Sequence, residues 1–147
     1  MTGMSLPARM MVGGLFAYAG FMKLVYPVEN FHAVLAEYPL VPHAAIPLIA
    51  LTLPWAELVL GVFLVTGYLT RLSAAALLGL CAAFVLLLVT RYMIEGTLPA
   101  DCGCFGTGWL HFSGAQILAM DVVNAGLCVL ILRCRKYFLS LDSWLGR

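Results

Sequence analysis

Charged side chains are scarce in this sequence. They make up 10% of its 147 residues, whereas 63% are hydrophobic, and a soluble domain carries about a quarter charged residues. A water-soluble fold is therefore nearly excluded. A surplus of positive charge is also lacking, since eight Lys and Arg almost balance seven Asp and Glu. A protein that holds the phosphate backbone of nucleic acid needs such a surplus, so we expect no nucleic-acid partner.

Long apolar runs dominate the chain instead. A helix needs about 20 apolar residues to cross the hydrocarbon core of a bilayer. Four runs reach this length, at about residues 6–26, 44–68, 72–92 and 113–132. The sequence therefore predicts an all-α membrane protein, a bundle of four transmembrane helices that forms a single domain over residues 1–147. Arg9 and Lys23 lie near the two ends of the first run, where long side chains can reach water.

The distribution of Lys and Arg predicts the orientation of the bundle. Cytoplasmic loops are enriched in these residues, and six of the eight lie on the side of the two termini, with only Lys23 and Arg91 opposite. We therefore expect a multi-pass protein of the inner (plasma) membrane with both termini in the cytoplasm. The loops at residues 27–43 and 93–112 then face the periplasm or the cell exterior.

The first outer loop carries a short amphipathic pattern. Apolar side chains recur at helical spacing between two prolines, at Phe31, Val34, Leu35 and Tyr38. This pattern predicts a short interfacial helix that lies on the membrane surface. The helix is either a simple connector or a lid over the second outer loop.

The second outer loop contains Cys102 and Cys104, separated by Gly103. Outside the cytoplasm such a pair can cycle between dithiol and disulfide. A disulfide that closes over one residue departs from relaxed geometry, which makes it easier to reduce, so the pattern favours disulfide exchange. A zinc site would need about four ligands, and a structural disulfide across so short a loop would stabilise little. These two alternatives remain open.

Three ionisable side chains lie inside the predicted spans, Lys23, Glu57 and Asp121. From the outer helix ends, a rise of 1.5 Å per residue places Glu57 at a depth of about 18 Å and Asp121 at about 12 Å. One ammonium and two acids could therefore meet inside the bundle. Such groups either form a structural pair or serve a function. In the functional case Lys23 stabilises a thiolate, or a reduced quinone held near Trp55 and Glu57, and an acid relays protons.

Cys81 and Cys128 lie in the third and fourth predicted spans. If they share a face of the bundle, they form a second redox pair that could move electrons across the membrane. The alternative is that both are small buried hydrophobic side chains, which is the usual role of such cysteines.

The order of four motifs resembles the family of the methylamine utilisation protein MauE, within the DoxX-like four-helix membrane proteins. The motifs are Ala19-Gly20-Phe21-Met22-Lys23-Leu24, Tyr38-Pro39-Leu40, Leu53-Pro54-Trp55-Ala56-Glu57 and Asp101-Cys102-Gly103-Cys104-Phe105-Gly106. The resemblance implies a redox-associated inner-membrane protein, often encoded beside a thioredoxin-like periplasmic protein. In the methylamine case it implies a role in maturing a disulfide-rich dehydrogenase subunit. The family's residues map to Lys23, Pro54, Trp55, Glu57, Cys102 and Cys104.

These observations together predict an inner-membrane thiol-disulfide oxidoreductase. Cys102 and Cys104 exchange disulfides with a periplasmic thioredoxin-like protein or a cysteine-containing secreted substrate, and Lys23 and Glu57 assist. A quinone near Lys23, Trp55 and Glu57 is the candidate cofactor, and no metal is expected. The alternatives are a non-catalytic membrane anchor for a redox partner, a metal-binding protein, and a small-molecule carrier that uses the buried acids.

Overall fold

The computed structural model describes residues 5–38, 40–97 and 113–134. The described residues form five helices and no strand: α1 Ser5–Val25, α2 Val28–Ala36, α3 Ile46–Thr66, α4 Thr70–Glu95 and α5 Gly114–Arg133. Within this part of the chain, every helix except α2 is long and apolar enough to cross a membrane. The all-α class and the four spans predicted from the apolar runs are confirmed.

Local sequence signals account for several helix ends. Gly67 after α3 and Gly96 after α4 adopt positive φ angles of 74° and 71°, a conformation that glycine enters without steric cost. In both cases the glycine N–H donates to the carbonyl four residues earlier, which closes the last turn. At the start of α5, the Ser113 N–H donates to Gln116 Oε1 at 3.1 Å. The chain therefore turns between spans at positions that the sequence marks.

The four spans pack mainly as two pairs, α1 with α3 and α4 with α5. Two hydrophobic clusters form the core. The cluster beneath α2, which defines the α2 end of the bundle, includes Phe31, Leu35, Tyr38, Ile46, Leu88 and Ile117. The cluster at the opposite end includes Val12, Phe16, Leu64, Leu77, Cys81 and Cys128.

Glycines bring the backbones of α1 and α3 into direct contact. A Cβ added at Gly20 would lie 2.6 Å from the Pro54 carbonyl oxygen, and one added at Gly61 would lie 2.5 Å from the Ala17 nitrogen. Neither position has room for a side chain, as is typical of close helix packing in membranes. This close approach sets the distance over which side chains of α1 can reach α3.

The short helix predicted in the first outer loop is α2. Its apolar face, which includes Phe31 and Leu35, is buried against the bundle together with Tyr38 just beyond the helix, in one cluster with Leu88 and Ile117. The opposite face of α2 is exposed. The helix therefore covers one end of the bundle, and its position over the second outer loop stays a prediction because that loop lies outside the described residues.

The expectation that Arg9 and Lys23 reach water is wrong. Both side chains are buried inside the bundle. Arg9 Nε donates to the Leu64 carbonyl at 3.2 Å and Nη2 to the Val65 carbonyl at 3.4 Å. Carbonyls in the last turn of a helix lack intrahelical donors and attract a cation, and α1 lies close enough to α3 for Arg9 to reach them.

Candidate functional site

A buried ion pair joins α1 to α3 beneath α2. Lys23 Nζ lies 2.6 Å from Glu57 Oε2 and 2.8 Å from Glu57 Oε1, and each side chain is only 1% exposed. Charge-assisted hydrogen bonds of this kind are the strong ones. Each charge depends on the other, because removing one partner would leave an unpaired charge in an apolar environment.

Two phenylalanine rings complete the surroundings of the ammonium. Lys23 Nζ lies 5.2 Å from the ring centre of Phe31 on α2 and 5.6 Å from that of Phe84 on α4. Both distances are within the range of a cation–π interaction. Four helices therefore meet at Lys23, and α2 closes the ion pair from its own end of the bundle.

A small cavity lies beside this pair, and most of the side chains that line it are apolar. Glu57 on α3 and Asp121 and Asn124 on α5 line it together with the apolar side chains of Phe84 and Met120, and its volume is about 20 Å³. Asp121 is 8% exposed and Asn124 is 6% exposed. Among the described residues, Asp121 Oδ2 and Asn124 Nδ2 have no hydrogen-bond partner. The cavity therefore combines space for about one water molecule with two unsatisfied polar atoms.

Trp55 does not belong to this site. Its indole is 56% exposed, whereas Glu57 is buried, because residues two apart on a helix point to nearly opposite sides. The cavity beside Glu57 has room for about one water molecule, which is far too little for a quinone ring. Lys23, Trp55 and Glu57 therefore do not form a pocket that fits a quinone.

The predicted redox pair, Cys102 and Cys104, lies outside the described residues. The segment that contains it begins after α4 and ends before α5, and both of these helix ends lie at the α2 end. Arg91 Nη1 in the last turns of α4 contacts Glu37 Oε2 at 2.8 Å, and Ile117 at the start of α5 packs in the cluster beneath α2. The cysteine segment is thus attached to the same end of the bundle as the buried ion pair.

The structure places Cys81 and Cys128 in one core cluster, at the end of the bundle opposite α2. Both side chains are buried, and both are free thiols. In the described part of the chain, no group of three or more His, Cys, Asp or Glu side chains is arranged to hold a metal ion. A relay of electrons through these two thiols stays a prediction.

Comparison with known proteins identifies the family. The family model described as "Methylamine utilisation protein MauE" matches residues 1–133, a range that contains all five helices. The chain belongs to the MauE family. It is 33% identical over 100 residues to the methylamine utilization protein MauE of Paracoccus denitrificans, an alignment that covers 68% of this chain and 53% of the relative.

A second MauE relative, from Paracoccus versutus, is 37% identical over 121 residues, which cover 82% of this chain and 64% of the relative. The chain thus spans about half to two thirds of the length of the curated relatives that it matches. No solved structure matches the chain significantly. Placement of the MauE family among the DoxX-like proteins stays a prediction.

Sequence reasoning found three of the polar residues in this MauE-family site and missed the fourth. Lys23, Glu57 and Asp121 stand out as ionisable groups in apolar runs, and the structure brings them to one region of the bundle. Asn124 was missed because an uncharged amide attracts less notice. Its signal is the spacing of three residues from Asp121, which places both on one face of a helix.

Proposed function

We propose that this MauE-family protein is an inner-membrane thiol-disulfide exchange protein. Cys102 and Cys104 form the exchanging pair, and both termini lie in the cytoplasm, so that the pair faces the periplasm. The observation that carries the proposal is the attachment of the cysteine segment to the α2 end of the bundle, where α4 ends and α5 begins. The curated relatives are named for methylamine utilisation, and we propose that this chain serves the same process.

The exchange passes two electrons between dithiol and disulfide. A thiolate of the partner attacks one sulfur of the Cys102–Cys104 disulfide and forms a mixed disulfide, and the second partner thiolate resolves it. The partner gains a disulfide, and Cys102 and Cys104 become thiols that take up the two protons released by the partner. The reverse reaction reduces the partner. The partner is a thioredoxin-like periplasmic protein or a secreted protein with its own cysteine pair.

Lys23 and Glu57 act in this proposal as positioning residues. Their ion pair holds α1 against α3, and the cation–π contact of Lys23 with Phe31 holds α2 on the bundle. Since α2 in turn contacts the last turns of α4 through Glu37 and Arg91, the ion pair supports the helix end from which the cysteine segment leaves. Direct stabilisation of a thiolate would require Lys23 to leave Glu57.

The test is the redox state of the pair in intact cells. Differential alkylation with a mass readout, with and without a membrane-impermeant reductant, should show Cys102 and Cys104 partly oxidised and accessible from outside. Cys102→Ser and Cys104→Ser should each trap a mixed disulfide whose second component names the partner. Cys134→Ser is the matched control, because Cys134 is a partly exposed free thiol at the end of α5, and it should trap nothing.

Two results would overturn the proposal. One is that Cys102 and Cys104 stay reduced in the wild-type protein and that neither serine variant forms a mixed disulfide. The other is unchanged maturation of the partner when both cysteines are replaced by serine, which would leave a non-catalytic membrane anchor for the redox partner as the function.

A further inference from the structure

We propose that Asp121, Asn124 and Glu57 form an internal site that binds one water molecule and one exchangeable proton, with the proton held on Asp121. This site lies within the membrane-spanning helices, and the proposal does not rest on the disulfide exchange proposed above, although Glu57 belongs to both. It rests on the cavity lined by residues of α1, α3, α4 and α5, and on the two unsatisfied polar atoms of Asp121 and Asn124, which are among its lining residues.

The balance of buried charge points to the proton. Lys23 gives both of its short contacts to Glu57, and Asp121 makes no ion pair with any residue that the structure describes. Lys23 from α1, Glu57 from α3 and Cys81 from α4 are the titratable groups in electrostatic range of Asp121. If both acids were ionised, the region would carry two negative charges and one positive charge. An unpaired carboxylate in such surroundings is neutralised by binding a proton.

The geometry of the cavity points to the water. A cavity needs roughly 10–15 Å³ of such space to hold one water molecule, and the water needs at least two polar partners. A water can donate to Asp121 Oδ2 and accept from Asn124 Nδ2, which satisfies both atoms that lack a partner. A metal cation fits less well, because hard cations take about six oxygen ligands, whereas the described lining offers fewer, and both Glu57 oxygens already accept from Lys23.

The protonation state of Asp121 determines whether Lys23 pairs with Glu57 alone or is shared between Glu57 and Asp121. When Asp121 is protonated, Glu57 is the only anion among the described residues that line the site, and it holds Lys23. When the proton leaves, a second carboxylate in electrostatic range of the same ammonium competes with Glu57 for Lys23. Proton release therefore weakens the cation–π contact between Lys23 and Phe31, by which Lys23 holds α2 on the bundle.

Infrared difference spectroscopy on the full chain in lipid vesicles tests the site directly. The spectrum at neutral pH should contain the C=O stretching band of a protonated carboxylic acid, since exposed Asp and Glu side chains are ionised there. The band should shift to lower frequency in D₂O, because the proton is exchangeable. Asp121→Asn should remove it, and Glu29→Gln, which replaces an exposed acid in the first turn of α2, should leave it unchanged.

Two further measurements support the assignment, and the first is independent of variant folding. Labelling wild-type aspartate carboxyls with ¹³C should shift the band without any substitution, which assigns it to an aspartate. Asn124→Leu removes the amide and fills the cavity, and should shift the band to higher frequency as the water is lost. Replacing Cys102 and Cys104 with serine should not alter the band. The infrared test can therefore fail or succeed whether or not the cysteines exchange disulfides.

The proposal is overturned if the wild-type protein has no such band at neutral pH. It is also overturned if the band survives Asp121→Asn, or if it does not respond to aspartate labelling. If the spectrum lacks the band of a protonated acid and changes when sodium chloride is added, the cavity binds a cation and not a proton.

Discussion

Arg9 and Lys23 are both buried on α1, yet their charges are stabilised in different ways. They lie about four turns apart, or about 21 Å at 1.5 Å per residue. On α3, Arg9 contacts neutral carbonyls of the last turn, whereas Lys23 contacts the carboxylate of Glu57 in the middle of the helix. In the last turn of a helix the carbonyls lack intrahelical donors, whereas the carbonyls of a middle turn already accept hydrogen bonds within the helix. A cation packed against a helix interior therefore requires an anionic side chain.

The largest effect should come from breaking the Lys23 side of this comparison. Glu57→Gln leaves a buried ammonium without an anion, and we expect the free energy of unfolding in mixed micelles to fall by about 3–5 kcal/mol. The double variant Lys23→Met with Glu57→Leu should recover most of this loss, since it leaves no unpaired charge. A double variant as unstable as the single one would show that packing, and not charge, dominates.

Breaking the Arg9 side should have a smaller effect. Arg9→Met removes hydrogen bonds from a charged donor to two neutral carbonyls, and we expect a loss of about 1.5–3 kcal/mol in the same unfolding measurement. Arg71→Met, at an exposed position early in α4, is the control and should change stability little. Equal losses for Arg9→Met and Glu57→Gln would contradict the distinction between neutral and charged partners.

A steric change can test whether close helix approach underlies both contacts. Gly20→Ala would place a methyl group 2.6 Å from the Pro54 carbonyl oxygen, and we expect a loss of about 1–3 kcal/mol, as for other overpacked cores. Gly14→Ala is the matched control, because an added Cβ there meets nothing within 4 Å. If the two substitutions had the same effect, the backbone contact between α1 and α3 would not be what holds Lys23 near Glu57.

The smallest effect should come from a third cation, Arg91, because its carboxylate partners are exposed to solvent. Arg91 pairs with Glu37 and Glu95, whose side chains are 57% and 41% exposed. Water screens such pairs, so Glu37→Gln should lower the free energy of unfolding by less than about 1 kcal/mol, and added salt should reduce the effect further. A loss as large as that of Glu57→Gln would mean that burial does not separate these ion pairs.

The spans were predictable because every residue of an apolar run contributes to the same signal. Their ends were less so. The third predicted span stops at residue 92, but α4 continues to Glu95, where the Arg91 side chain contacts Glu95 one turn later and Gly96 closes the helix. Charged residues end an apolar run without ending a helix.

The site was predictable in depth and less so in direction. Position along a helix placed Glu57 and Asp121 well inside the bundle, since only the rise per residue is needed. It also placed Trp55 with them, although that side chain points away from Glu57. The partners of Arg9 carry no signal in the sequence, because every helix end offers carbonyls of the same kind.

The two cations of α1 depend on one and the same helix, and this has a consequence for biogenesis. During synthesis α1 emerges before α3, so Arg9 and Lys23 at first lack the partners that α3 later provides. Charged side chains within an apolar span oppose its insertion, so α1 should enter the lipid more efficiently as a hairpin with α3 than alone. A chain that stops before α3 should therefore insert less completely than one that includes it, and a glycosylation-tag assay in microsomes can measure the difference.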